Sequence, residues 1–559
     1  MKQIRWGLLL VLGLLLIVLT ACGGQSEESD ESGESADNSS ETAEGGEQIL
    51  HLLNAEIIPS MDSSMATDSY AFQFLGATME GLYRLDEDAN PVEGIATEHE
   101  VSEDGLTWTF TLREDAAWSN GEPVTANDFV YAWRRAVDPN TGSEYGPYMM
   151  NGVVKNAEAI NNGEMDVEKL GVEADGEYTL IVELENPTPY FESLTTFPTF
   201  YPQHQAFVEE QADNYAIASE NLLFNGPFTL EKWTSTSNSW ELVKNENYWD
   251  KETVQLDELT FEVVKDPQTS VRLYEEGTVD RADLSSDLVD QYSTHEDYEV
   301  VPETFVFYLK FNQMNSEDLA NENVRAAISR SFNKQALVDE ILNDGSLVAN
   351  GIVPQDFVTT PDGEDFREAN GDLVTYDPET AKEYWEKGLS ELGKDTVELE
   401  LLSSDSEESK VMGEYLANQL ETNLPGLSIK LKRVPFEQRK DLDAKMDYDI
   451  QISSWGPDYL DPYTFLNLFV TEGGNNKMGY SNTEYDQLME DVATTYATDK
   501  NKRYETFLEA EKILFEDAAI APIYQSSTPQ LVSDKLQGVY VNPFGATYEY
   551  KWGSVVENE

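Results

Sequence analysis

The octet Trp455-Gly456-Pro457-Asp458-Tyr459-Leu460-Asp461-Pro462 sets a carboxylate between two large aromatic side chains, in a stretch broken by a Gly-Pro and an Asp-Pro step. A carboxylate placed there loses part of its hydration and needs a hydrogen-bonded or cationic partner. Two kinds of chemistry follow. Asp458 can satisfy nearby backbone N–H groups, as aspartates in turns commonly do, or it can be held ready for a positive charge from outside. The run before the octet, residues 448–454, is rich in aromatic and β-branched residues and predicts a strand that stops where the octet begins.

The elements that must carry this loop lie along about 510 residues, more than one hydrophobic core serves, so two or three domains are expected. Residues 49–53 predict a short apolar strand. Over residues 70–85, Phe72, Leu75, Met79 and Leu82 recur at helical spacing. Asp104-Gly105 and Asp175-Gly176 predict hairpins, each followed by an alternating strand. Between them, Thr125 and Asp128 have the spacing of a capping box, and Phe129, Trp133 and Ala136 form one apolar stripe behind it. The Asn225-Gly226-Pro227-Phe228 turn ends one unit, and Trp240, Leu242, Leu259, Phe261 and Val263 open another set of strands. Residues 305–312 form a strongly β-forming octet. Asn321 or Asn323 then caps a helix, Asn333 starts another that ends at Gly345, and helix and strand alternate to Ala518.

The sequence gives no support to catalysis. The four histidines, His51, His99, His204 and His295, share no zinc-site spacing. Gly-x-Ser-x-Gly and phosphate-loop motifs are absent. Asp86, Asp88 and Asn90 begin like a calcium loop, but Pro91 and Thr97 stand where it needs glycine and glutamate, so a surface turn is expected. No metal and no cofactor is implied.

Lys2 and Arg5, an apolar run over residues 6–19 and the tetrad Leu19-Thr20-Ala21-Cys22 describe an export signal rather than a spanning helix. The tetrad resembles the bacterial lipoprotein cleavage box, which makes Cys22, the only cysteine, a lipidation site and the lipid an anchor to the cell membrane. Residues 23–48 hold no lysine, arginine or aromatic residue and are expected to be a disordered acidic tether. A net charge of −71 argues against nucleic acid and anionic lipid as partners and suits an acidic surface in salty or alkaline surroundings.

The octet resembles the ligand-binding loop of the oligopeptide-binding proteins, family 5 extracellular solute-binding lipoproteins of peptide ABC importers. The run Trp118-Ser119-Asn120-Gly121-Glu122-Pro123-Val124-Thr125-Ala126-Asn127-Asp128-Phe129 resembles the best-known sequence mark of the same family. The resemblance covers nearly the whole chain. It implies an α/β, two-lobed periplasmic-binding-protein-like fold (class II, cluster C type) with an extra third domain: 1–21 signal, 22–48 tether, 49–80 with 226–305 and 523–559 as the core of the first lobe, 81–225 as its additional domain, and 306–522 as the second lobe. It implies an extended oligopeptide as ligand, an ABC permease as partner, no enzymatic activity, a monomer, and an extracellular lipid-anchored position of Gram-positive type. By correspondence, Asp458 pairs with the peptide's α-ammonium, Trp455 and Tyr459 form walls, and residues 456–459, including Gly456 and Pro457, offer a strand edge. Ala66, Thr67 and Ser69 pair through their backbone from the other lobe, and Tyr148 lies against the ligand. The chain departs from some relatives at Ile452, Ser453 and Ser454, where they place a basic residue for the peptide carboxylate. Alternatives are a same-fold binder of a dipeptide, nickel chelate or sugar, a peptide-signal receptor, and a secreted hydrolase.

Overall fold

The computed structural model describes residues 48–556. The export signal, Cys22 and the acidic tether up to residue 47 lie outside them. Three sheets organise the rest. The first, in the order Ile49–Asn54, Glu258–Val263, Ser239–Lys244, Phe228–Glu231, joins the first described strand to three that come some 200 residues later in the chain. The second consists of the two expected hairpins, Ala96–Val101 with Thr107–Leu112 and Val172–Ala174 with Thr179–Glu183. Between the hairpins the Thr125–Asp128 capping box is formed, and the helix Ala126–Val137 buries Phe129, Trp133 and Ala136 against them.

The third sheet carries the order Arg281–Asp283, Ile520–Val532, Tyr298–Phe311, Ile450–Trp455, Val397–Ser404, Leu427–Val434, with Leu347–Val348 paired to Ile520–Val532. Its last three strands are parallel. From Val397–Ser404 the chain passes through the helix Glu407–Asn423 out to Leu427–Val434, then back through the helix Phe436–Ala444 to Ile450–Trp455 on the opposite side. The winding direction therefore reverses between Val397–Ser404 and Ile450–Trp455, and the crevice beyond the carboxyl ends of such strands is where open α/β sheets take ligands.

Two expectations need correction. The helix expected over residues 70–85 is Ser69–Thr78, and Tyr83–Leu85 is a strand. The helical spacing is overruled by Asn225, whose side chain accepts from Glu80 N–H at 3.0 Å and donates to the Glu80 carbonyl at 2.9 Å. Arg84 is then fixed between the Glu80 and Glu549 carboxylates in the interior. The β-forming octet at 305–312 is the latter part of a longer strand, Tyr298–Phe311, with a register shift between Pro302 and Val306 against Ile520–Val532. Beyond it, Asn321 caps the helix Glu322–Arg330. Asn333 caps a short turn that widens to a π-helix and ends at Asn343 with φ 49°, just before Gly345. At 86–90, Asp86 accepts from the N–H groups of Asp88 and Asn90, a surface turn as expected.

Candidate functional site

The strand Ile450–Trp455 hydrogen-bonds to Tyr298–Phe311 along its whole length, Val306 opposite Trp455 through Phe311 opposite Ile450. On its other side Val397–Ser404 pairs only at Ile450 and Gln451 and then diverges. From residue 452 to 455, one edge of the strand therefore has no strand partner among the described residues. The strand stops at Trp455, short of the edge expected at 456–459; Gly456 and Pro457 follow without regular structure, and residues 458–460 bend. Gly456 lets the ring of Phe305, which is 40% exposed, lie over the loop: a Cβ there would sit 2.5 Å from that ring and push it aside.

The bend presents two buried carboxylates. Asp461, 5% exposed, forms a bidentate pair with Arg503 from the helix Lys500–Glu516, at 2.5 and 2.9 Å. Asp458, 6% exposed, has no cationic partner among the described residues. It accepts from the Tyr148 hydroxyl at 2.8 Å and faces the hydroxyl of Tyr145. Its backbone N–H donates to Thr464 Oγ1 at 3.2 Å. Burial pushes the carboxyl from the ordinary 3.8 up to about 7, against the pull of the two phenols. Burial and then the Asp458 charge hold both phenols well above their usual range, so they act as donors.

Tyr145 and Tyr148 stand one turn apart on the helix Tyr145–Met150, and Gly146 lets that helix close on the helix Ala126–Val137: a Cβ would run into the Ala136 carbonyl. Tyr145 is wedged between Phe72 and Phe197, with ring centroids 5.1 and 5.7 Å away. Trp455 meets the edge of Tyr148 at 6.0 Å. Tyr459 turns the other way, stacks on Tyr190 at 4.6 Å and joins the core around the first two sheets. It docks the loop, helped by Ser193 Oγ, which accepts from Leu460 N–H at 3.1 Å. Behind it, Tyr148, Tyr190, Tyr459, Tyr463 and Arg503 line a cavity of about 100 Å³.

In the segment 66–69, residues 66 and 67 have no regular structure and Asp68 is extended. Ala66 is buried with its N–H on the Asp62 carbonyl, Thr67 is half-buried and Ser69, exposed, begins the helix capped by Asp68. Asp62 is in turn clamped by Arg135 at 2.6 Å. Its link to the site runs through Phe72, which touches Tyr145, and through Asp68, whose charge acts on that phenol. Tyr145, Thr464 and Phe305 join the site without having been picked from sequence. The i, i+3 spacing of Tyr145 and Tyr148 is the signal that could have found the first.

Among the described residues there is no cluster of His, Cys, Asp and Glu fit for a metal and no helix long and apolar enough to cross a membrane. What the arrangement can do is bind. It holds a proton-tunable, uncompensated carboxylate beside an unpaired strand edge, at the reversal point of an α/β sheet.

The family model described as bacterial extracellular solute-binding proteins, family 5 Middle, matches residues 90–477. The chain is 35% identical over 566 residues to the dipeptide-binding protein of Lactococcus lactis subsp. cremoris (strain MG1363), covering 99% of both. It is 32% identical over 555 residues to the oligopeptide-binding protein OppA of Bacillus subtilis (strain 168), covering 97% of this chain and 98% of the other. Among solved structures, Listeria monocytogenes OppA bound to peptide superimposes with a TM-score of 0.83 at 43% identity, covering 92% of this chain and 100% of that one. With its two-lobed α/β fold and the family model matching most of its length, the chain belongs to the bacterial extracellular solute-binding proteins of family 5.

Proposed function

We propose that the chain captures peptides with a free amino terminus and hands them to an ABC importer. Asp458 is the observation that carries this reading: a carboxylate 6% exposed, raised to about 7, with two phenol donors and, among the described residues, no cation. An α-ammonium is the group that would complete it. The free edge at 452–455 would pair with the ligand's main chain, which gives affinity without selecting side chains. The relatives support a peptide as the solute, since they include a dipeptide-binding and an oligopeptide-binding protein and a structure bound to peptide. Family members bind solutes and are not enzymes.

Closure over the ligand depends on contacts from both sides, because a ligand that touches both states equally shifts nothing. Asp458 comes from the third sheet and the tyrosines from the hairpin region, which supports that dependence. The division into 49–80 with 226–305 and 523–559, 81–225, and 306–522 is kept as a proposal. The long strands Tyr298–Phe311 and Ile520–Val532 serve in it as crossings, and the register shift after Pro302 as the hinge. Lipid attachment at Cys22, which would hold the protein on the extracellular face, belongs to the same proposal.

The test is calorimetry of one short peptide with a free and an acetylated amino terminus. Acetylation should cost several kcal/mol, about the price of leaving a buried charge unpaired. Equal affinities would take Asp458 out of this role.

A further inference from the structure

The loop that carries Asp458 meets the hairpin region twice. The first meeting is that of Asp458 with the phenols; the second lies on the face turned away from Trp455 and is made by Tyr459 and Leu460. Tyr190 stacks on Tyr459 with ring centroids 4.6 Å apart and planes 9° from parallel, and the two hydroxyls meet as well. The Tyr190 ring is also 6.0 Å from that of Tyr463 and 5.5 Å from the Arg503 guanidinium. Ser193 Oγ accepts the Leu460 N–H alongside it. Tyr190 precedes and Ser193 lies within the short helix Phe191–Leu194, which is tied to the hairpins by Phe191, buried with its ring 5.2 Å from Trp108. One residue beyond Leu460, the Asp461–Arg503 pair ties the loop back to the third-sheet part. Among the described residues between 281 and 532, Tyr459 alone is a buried member of the core around the first two sheets. Parting the two regions therefore bares two phenol rings and the Leu460 N–H, whatever the cleft contains.

Resting on the reading that the chain closes over a peptide, we propose that Tyr190 and Ser193 form a latch for Tyr459 and Leu460 that favours the closed state without touching the ligand. Asp458 acts against it. Closing sets that carboxylate, 6% exposed, beneath phenols with no cation among the described residues, which opposes closure. Latch and charge thus bear on three consecutive residues in opposite senses. The stack favours closure for any occupant, and the buried charge opposes it until an ammonium arrives. Apparent affinity falls in proportion to the fraction of molecules in the competent state, so a residue outside the ligand's reach scales every peptide by one factor. Tyr190 in this way sets how tightly all peptides are held, and Asp458 sets which of them are.

The experiment joins small-angle scattering of the ligand-free full chain to calorimetry with trialanine, free and acetylated at its amino terminus. Wild type is compared with Tyr190→Ala, Tyr190→Phe, Ser193→Ala and Asp458→Asn. Tyr190→Ala should enlarge the ligand-free radius of gyration and weaken both peptides by the same factor, about two- to tenfold, the range for an aromatic pair. The ratio between the two peptides should not change. Tyr190→Phe keeps the ring and should stay within about twofold of wild type. Ser193→Ala, which leaves the rings in place, should act in the direction of Tyr190→Ala by about twofold or more. Asp458→Asn should shrink the ligand-free radius, and adding Tyr190→Ala should reverse that. The inference is overturned if Tyr190→Ala and Ser193→Ala leave the radius and both affinities unchanged, or if they weaken the free peptide alone, which would place them at the ammonium. An unchanged radius in Asp458→Asn would overturn the opposition between charge and latch. Equal affinity of wild type for the two peptides, with the uniform loss in Tyr190→Ala retained, keeps the latch and removes Asp458 from its pairing with the amino terminus.

Discussion

Asp458 and Asp461 sit in one bend, three residues apart, and are buried to the same degree, 6% and 5% exposed. Their surroundings differ in kind. Asp461 is closed by the guanidinium of Arg503, within the third-sheet part of the molecule. Asp458 reaches across to the helix Tyr145–Met150 and finds only phenols. Residue type and burial therefore do not separate a structural aspartate from a functional one; the charge of the partner does. The paired carboxylate fixes the bend, and the fixed bend holds the unpaired one where its charge is costly. The two roles depend on each other, and each can be broken alone.

The largest effect is expected at the closed pair. Arg503→Met leaves Asp461 buried and uncompensated, which should cost about 3–5 kcal/mol of stability in denaturant unfolding. Replacing both partners, Arg503→Met with Asp461→Leu, should recover much of that loss, since an apolar pair of similar volume often matches a buried ion pair. A double variant as unstable as the single would contradict the view that Asp461 serves the fold only through Arg503.

Asp458 should behave in the opposite sense. Its carboxyl titrates near 7 in the folded chain against an ordinary 3.8, so the folded state holds a proton that the unfolded state releases. Stability of the ligand-free protein then falls as pH rises from about 4 to about 7 and is flat above, by a total on the order of 4 kcal/mol from this group. Asp458→Asn should remove that slope and raise the melting temperature at pH 8, while abolishing the preference for a free amino terminus. Binding runs the other way. A bound ammonium keeps Asp458 ionised, so affinity should drop by roughly tenfold per unit as pH falls below about 7, with a proton released on binding. Calorimetry in buffers of different ionisation enthalpy measures that proton, and none at pH 6 would contradict the assignment.

How far these contrasts were legible depends on how local their causes are. The hairpins at Asp104-Gly105 and Asp175-Gly176, the Thr125–Asp128 box and the caps at Asn321 and Asn333 rest on neighbouring residues, and all form. The helix over residues 70–85 was cut short by Asn225, about 145 positions away, which no periodicity records. At the site, the loop and its buried Asp458 could be found because Trp455, Asp458 and Tyr459 are adjacent in sequence. The opposite duties of Asp458 and Asp461 could not, because Arg503 and Tyr145 come from distant segments. Nor could the turn of Tyr459 away from Trp455, which depends on Tyr190.

A smaller change sharpens the comparison without removing either carboxylate. Tyr148→Phe deletes one donor to Asp458 and leaves the ring against Trp455. The carboxyl should move up from about 7, because the phenol pulls it down. The pH midpoint of peptide binding should move up with it, and affinity at pH 7 should fall by about 1.5–3 kcal/mol, the range for a hydrogen bond to a charged group. An unchanged midpoint would assign the tuning of Asp458 to Tyr145 alone.

The least effect is expected at Thr464, whose hydroxyl accepts the Asp458 N–H at 3.2 Å from the start of the next helix. Thr464→Val keeps the shape, strands that N–H in the interior, and should cost about 1 kcal/mol of stability. If Thr464 only braces the backbone, the acetylation penalty should persist and the pH midpoint should stay where it is. Its hydroxyl also meets that of Tyr148, so an upward shift of the midpoint as large as that of Tyr148→Phe would mean that Thr464 orients the phenol. The boundary between the braced half of the bend and its ligand-reading half would then lie beyond Thr464 rather than between the two aspartates.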